Sequence, residues 1–235
     1  MELFDREYFE IGSYGKQDFK IIERNYKNLL DKGFKYFPEI SRKDRIKILD
    51  FGCAFGVGTN YLSSVFSKGL VVGVDISEYA VQKANKLFSN KKNLKFHCLD
   101  LSKTKSLNFL LKNYGYFDMI FTRDVLEHVP KKYQKVIVKN FSIILKNGGI
   151  VMASIANGLN LYSFICDKTH IGLRSPWFWR NVFSKYMKVI KCFEMQWIPF
   201  LWRLRKDKKL IEIRFPLLGF IVYLFAKKEY GRRNG

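Results

Sequence analysis

IKILDFGCAFGVG, residues 46–58, joins an apolar run to an acidic residue and a loop with three glycines. The run from Ile46 to Phe51 reads as a short strand buried on both faces, because it lacks the strict alternation of a half-exposed one. Glycines between a strand and a helix let backbone amides approach a ligand closely and leave helix N-terminal N–H donors facing it. A helix follows, with Tyr61, Leu62, Val65 and Phe66 along one stripe. A nicotinamide enzyme needs G-x-G-x-x-G at this place. Starting from Gly52, the second and third positions are Ala54 and Val57, so the dinucleotide reading is set aside. The spacing fits D-x-G-x-(G/A)-x-G, with Asp50, Gly52, Ala54 and Gly56 in place.

Outward from that loop, LVVGVDI (70–76), LKFHCL (94–99), FDMIFT (117–122) and GIVMASI (149–155) alternate with stretches whose apolar residues recur at helical spacing. That alternation is the pattern of a parallel sheet with crossover helices. Ser77 is placed to cap a helix through Val81, Ala84 and Phe88, with Glu78 in its first turn. After Pro130, the residues Tyr133, Val136, Ile137, Phe141, Ile144 and Leu145 share a helical face, and Asn147, Gly148 and Gly149 read as the helix end. Two late stretches, around 188–198 and 217–227, read as strands that finish the sheet, with the basic loop RLRKDKK (203–209) between them. No internal repeat or low-complexity linker divides the sequence. It reads as one domain over 1–235, with a helical amino-terminal segment (1–44), a binding core (45–156) and a carboxyl-terminal region (157–235).

Residues 46–156 resemble the class I S-adenosylmethionine-dependent methyltransferases. The resemblance lies in the order and spacing of DFGCAFGVG (50–58), Asp75 after the second strand, Asp100 after the third, YFDMIFTRDVLEHVP (116–130) and LKNGGIVMASI (145–155). It implies an α/β fold, Rossmann-like and doubly wound, whose mostly parallel seven-stranded sheet has an antiparallel last strand. It also implies S-adenosyl-L-methionine as cofactor. In the family, the residue at Asp75 accepts hydrogen bonds from both ribose hydroxyls, a role that suits a two-oxygen acceptor. Asp100 falls where the family's acidic residue meets the adenine amino group, with the Leu101 amide nearby, and the segment 116–130 closes over the methionine end. The implied cofactor-binding set is Asp50, Gly52, Cys53, Gly56, Asp75, Ile76, Asp100, Leu101 and Arg123. Plainer readings stand beside it. Asp50 can cap the loop, Asp100-Leu101-Ser102 can start the next helix, and Cys53 contributes its amide and not its thiol. Ala54 departs from the family's middle glycine by one methyl group.

Methyl transfer to a hydroxyl needs in-line approach and removal of a proton. His128 is the candidate base, because it lies just beyond the fourth strand, where open α/β sheets place their sites, with Asp124 and Glu127 close in sequence. Its alternative is to cap or pack the following helix. His170 lies in DKTHIGLRSPWFW (167–179), similar to the D-x-T-H...S-P stretch of small-molecule, lipid- or glycan-modifying members. It either lines the acceptor pocket or organises its loop. Ser175-Pro176 reads as a helix start. By their position in the family, Tyr8 and Tyr14 belong to a lid.

Composition narrows the acceptor. The 235 residues hold 42 Lys+Arg against 21 Asp+Glu, a net charge of +21, and 48% are hydrophobic, which excludes a disordered polar chain. About half of the charge, +11, falls in residues 172–235, interleaved with Trp177, Trp179, Phe183 and Trp197. The four cysteines and three histidines are dispersed, so neither a disulfide framework nor a metal site is expected. The longest apolar stretch, Phe215 to Ala226, has 12 residues, short of the roughly 20 a spanning helix needs. The charged amino terminus, MELFDREYFE, predicts a cytoplasmic chain, with membrane association left open. DNA amino-methylating enzymes of this fold carry N/D-P-P-Y/F after the fourth strand. Thr122, Arg123, Asp124 and Val125 stand here instead, which disfavours a nucleobase amine. Basic residues with stacking aromatics would also suit RNA, but the run LLGFIVYLFA (217–226) fits a greasy surface better. The expected function is methyl transfer to a small or lipid-linked acceptor, such as a hydroxyl of a sugar or isoprenoid-type compound, with peripheral contact to anionic membrane. An RNA methyltransferase, or a non-catalytic cofactor-binding protein docking on membrane or RNA, is the alternative, and the oligomeric state is not readable.

Overall fold

In a computed structural model of the chain, which describes residues 4, 6–10, 18–196, 211–213 and 219–230, the apolar runs pair into one sheet. Its strands in chain order are β1 (Lys47–Phe51), β2 (Leu70–Asp75), β3 (Leu94–Cys98), β4 (Phe117–Arg123), β5 (Leu145–Ala156), β6 (Lys188–Gln196), β7 (Ile211–Ile213) and β8 (Ile221–Lys227). Across the sheet they run β3-β2-β1-β4-β5-β8-β6-β7. Strands β1 to β5 pair in parallel, and β8 enters antiparallel between β5 and β6. These are the seven expected strands with an antiparallel last one. The three-residue β7, antiparallel to β6, adds an eighth at the edge. The strand order reverses between β1 and β4, the position where a doubly wound sheet opens a ligand crevice.

Nine helices are described: α1 (Arg6–Glu10), α2 (Phe19–Tyr36), α3 (Pro38–Ser41), α4 (Val57–Val65), α5 (Glu78–Leu87), α6 (Thr104–Tyr114), α7 (Lys131–Ile144), α8 (Leu161–Ile165) and α9 (Pro176–Tyr186). Side chains alternate across each strand. Ile48, Val71, Met119 and Met152 therefore meet Leu29, Leu30 and Leu62 of α2 and α4 on one face. Leu49, Val72, Ile120 and Val151 meet Leu110, Phe141 and Trp179 of α6, α7 and α9 on the other. The caps are local. Asp18, Ser77 and Ser175 accept hydrogen bonds from the N–H groups of Lys20, Ala80 and Phe178.

One boundary differs from expectation. Helix α7 ends at Ile144, before Asn147-Gly148-Gly149 could end it, because Leu145 turns extended and pairs with Phe117. Both side chains are fully buried there, a gain of apolar burial that another helical turn would forgo. Gly148 keeps a left-handed conformation (φ 75), now within β5, where the ladder with β4 shifts register and its N–H donates to the Lys228 carbonyl. Among the described residues no helix is long and apolar enough to cross a membrane. Tyr14, Trp197 and the basic loop 203–209 lie outside the described residues.

Candidate functional site

A cavity of about 490 Å³ opens at the carboxyl ends of β1, β2 and β4, and α1 forms part of its cover. The loop after β1 supplies one wall, and its residues divide into those that face the cavity and those that hold the loop. Gly52 and Ala54 face it. Asp50 does not, which corrects the expectation of direct contact. It is fully buried behind the loop, accepting from Thr59 Oγ1 at 2.7 Å and from the Tyr26 hydroxyl at 3.1 Å. Helix α2 comes this close because position 58 is glycine, where a Cβ would lie 2.1 Å from the Tyr26 ring. Burial pushes the Asp50 carboxyl up to about 7 against those two hydrogen bonds.

Gly56 and Cys53 also lie off the cavity wall. Gly56 caps α4 with φ 76, and a Cβ there would meet the Phe96 ring at 2.6 Å, so turn and packing both demand glycine. The Cys53 N–H donates to the Val74 carbonyl at 3.1 Å and is used inside the fold. Its thiol is buried, which raises its pKa.

Asp75, Ile76, Asp100, Leu101 and Arg123 all line the cavity. The Asp75 carboxylate is fixed by the N–H of Ala54 on Oδ2 (2.9 Å) and of Ser77 on Oδ1 (3.0 Å), and it retains acceptor capacity on both oxygens. Burial raises its pKa and these amides oppose the rise. Asp100 accepts the Ser102 N–H at 2.9 Å, so it also makes the local turn of the plainer reading. The Leu101 carbonyl is held by Asn140 Nδ2 at 2.7 Å. The Arg123 guanidinium pairs with Asp124 at 2.6 Å. Asp124 has a positive φ of 54, a conformation Asp tolerates better than most residues, and Ser154 Oγ donates to its Oδ1 at 2.5 Å. The chain turns sharply there, burying Leu126 in the core and bringing Glu127 and His128 to the cavity.

His128 and His170, far apart in sequence, have ring centroids 4.7 Å apart, and both line the cavity. Glu127 joins them: one ligating atom from each of the three lies within 4.8 Å of the others. Histidines that read as dispersed in sequence are thus brought together in space. His128 Nδ1 faces the Thr169 carbonyl at 3.2 Å and Thr169 Oγ1 at 2.9 Å, while that hydroxyl donates to Asp167 at 2.6 Å. A carbonyl only accepts, so Nδ1 carries the proton and Nε2 keeps its lone pair. His170 Nδ1 faces the Ser163 carbonyl at 2.6 Å, which assigns the same tautomer. Burial first, and His170 second, bring the His128 pKa down to about 4. Glu127 Oε1 accepts the Ala156 N–H at 2.8 Å, whereas Oε2 is buried without a partner. Burial, then the Asp124 charge, raise the Glu127 pKa.

Sequence reading missed the α1 cover, apart from Tyr8. Phe4 and Tyr8 stand edge-on to the His128 ring at 5.8 and 6.3 Å, and Phe9 packs on Phe55 at 5.2 Å. Asp167 and Thr169 fall in the D-x-T-H match around His170, but the sequence assigned them no role at the site.

Residues 49–151 match a family model described as a methyltransferase domain. A ubiquinone biosynthesis O-methyltransferase of Coxiella burnetii (strain RSA 493 / Nine Mile phase I) is 32% identical over 113 residues, 47% of this chain and 43% of the relative. An uncharacterized protein of Rickettsia prowazekii (strain Madrid E), RP789, is 30% identical over 119 residues, 50% of this chain and 20% of that protein. The chain therefore spans less than half the length of the curated relatives it matches. Among solved structures, the N-methyltransferase NodS from Bradyrhizobium japonicum WM9 in complex with S-adenosyl-L-homocysteine is similar with a TM-score of 0.60 at 12% identity, covering 91% of this chain and 89% of that one. The plantazolicin methyltransferase BpumL in complex with the same compound is similar with a TM-score of 0.60 at 17% identity, covering 95% and 93%. At these identities the likeness is one of fold.

Proposed function

We propose that the chain is a class I S-adenosylmethionine-dependent methyltransferase and that it transfers the sulfonium methyl group to a hydroxyl of a small or lipid-linked acceptor. The observation that carries the reading is a cavity lined by two chemically different sets of residues, Asp75, Ile76, Asp100 and Leu101 in the first and Glu127, His128 and His170 in the second. The first set suits the cofactor's nucleoside: Asp75 accepts from the ribose diol, Asp100 from the adenine amino group, and Gly52 lets the backbone come close. The second set suits a hydroxyl about to lose its proton. The acceptor oxygen attacks the methyl carbon in line with the C–S bond, the bonding pair passes to sulfur, and the hydroxyl proton passes to water beside Glu127, His128 and His170.

Tyr8, Tyr133, Tyr162, Phe220 and Ile221 also line the cavity, a wall suited to a ring or isoprenoid-type chain. The relative named for O-methylation in ubiquinone biosynthesis supports an oxygen acceptor of that kind. Peripheral contact with an anionic membrane belongs to the same reading. Beside Tyr162 and Ser163 at the cavity wall, α8 exposes Leu161, Phe164 and Ile165, and the chain carries +21. The test is incubation with radiolabelled S-adenosylmethionine and separate membrane, RNA and protein fractions. Label extracted with lipid or small molecules is expected. Label confined to RNA or protein would overturn the acceptor.

A further inference from the structure

We propose that Glu127, His128 and His170 form a binding site for a divalent first-row cation such as Zn2+, Co2+ or Mn2+. Three electron-pair donors converge within 4.8 Å in the cavity wall. Both imidazoles have their Nδ1 protons engaged, His128 by Thr169 and His170 by the Ser163 carbonyl, so each presents Nε2 as a lone pair. That is the outer-shell arrangement that orients metal-binding histidines, and the Asp167 carboxylate behind the Thr169 hydroxyl extends it. The third group supplies an independent sign. Glu127 is 1% exposed, yet its Oε2 has no hydrogen-bond partner. A buried acceptor left unmade is costly, and a cation bound by the cluster would satisfy it.

The donor set selects the ion. Two imidazoles and one carboxylate suit first-row divalent cations and leave open coordination positions, whereas Ca2+ and Mg2+ prefer all-oxygen cages. Bonds of about 2.0–2.2 Å require the three ligand atoms to close up by small side-chain rotations on binding. The local charge favours a cation even in a chain of +21, because the Asp124 and Asp167 carboxylates both act on His128. On the methyl-transfer reading, on which this consequence rests, the acceptor hydroxyl takes an open position. Coordination lowers its pKa and its proton passes to water in the cavity. The alkoxide then receives the methyl group, and S-adenosylhomocysteine, the methyl ether and one proton are the products. The imidazoles act there as ligands and not as bases.

The test is metal binding by the intact chain after stripping with a chelator. Co2+ is followed by its d–d absorption, and Zn2+ and Mn2+ by calorimetry, with S-adenosylmethionine binding measured on the same preparations. One ion per chain is expected. Glu127→Gln and His170→Ala should weaken it by at least about tenfold. Thr169→Val, which keeps all three ligands and removes only a His128 partner, should weaken it by about ten- to a hundredfold. Circular dichroism of each variant separates lost folding from lost ligation. No Co2+ spectrum and no heat, or variants that bind as the parent does, would overturn the site. S-adenosylmethionine binding without metal binding refutes the cation alone. Metal binding without S-adenosylmethionine binding leaves the site standing and refutes the methyl-transfer reading.

Discussion

Asp50 and Asp75 lie at the carboxyl ends of neighbouring strands but do different things, and substitutions separate them. Asp75 faces the cavity with fixed oxygens, so Asp75→Asn, which keeps one acceptor and loses the charge, should weaken S-adenosylmethionine binding by about tenfold or more. A hydrogen bond to a charged group is worth roughly 1.5–3 kcal/mol. Undisturbed binding in calorimetry would remove Asp75 from the ribose site. Asp50 is behind the wall, and its signature is in stability. Its folded-state pKa of about 7 stands above the unfolded value of about 3.9. The native state therefore favours the protonated form, and that contribution is full below about pH 4 and lost as pH rises through about 7. Asp50→Asn cannot titrate, so its stability relative to the parent should rise between pH 4 and pH 8 in urea unfolding. A difference that is flat in pH would show that Asp50 is not buried in this way.

Helix α2 shows how an element outside the glycine motif supports it. Its Tyr26 hydroxyl reaches the Asp50 carboxylate across Gly58, and Leu29 is fully buried against the sheet. Tyr26→Phe should cost about 0.5–3 kcal/mol, spanning a neutral and a charged hydrogen-bond partner, and Leu29→Ala about 2–5 kcal/mol by opening a cavity. Chemical denaturation measures both, and a loss below about 0.5 kcal/mol for Tyr26→Phe would separate α2 from the loop. The strands were legible in sequence because doubly buried runs such as LVVGVDI have few other uses. The end of α7 was not, since Leu145 could continue the helix or pair with Phe117, and only the position of β4 decides. Motif spacing equally could not tell Gly52, which lines the cavity, from Gly56 and Asp50, which hold the loop. The histidine pair was hidden for a physical reason as well. Its proximity depends on a loop docked by the Gly172 N–H on the Glu127 carbonyl at 2.7 Å, where a Cβ on Gly172 would lie 2.1 Å from the Val129 carbonyl oxygen.

At the scale of the whole molecule, the charge of +21 and the apolar helix α8 work together on the proposed reading. Leu161 is 74% exposed and Ile165 70%, next to residues that wall the cavity, so a membrane covering α8 would meet the cavity's rim. Neither feature suffices separately. Basic residues near a lipid surface contribute roughly 1 kcal/mol each and are screened by salt, whereas inserted Leu and Ile side chains contribute up to about 1.5–3 kcal/mol each and are not. Binding to vesicles containing anionic lipid should therefore exceed binding to neutral vesicles in co-sedimentation, and should fall with salt to a residue that the apolar side chains sustain. Replacing Leu161 and Ile165 together by serine removes that residue at high salt, weakening binding by at least about tenfold, and leaves cofactor affinity unchanged because neither side chain lines the cavity. If the double variant still binds anionic vesicles as the parent does at every salt concentration, α8 is not the docking element, and the basic carboxyl-terminal region carries the attraction by itself.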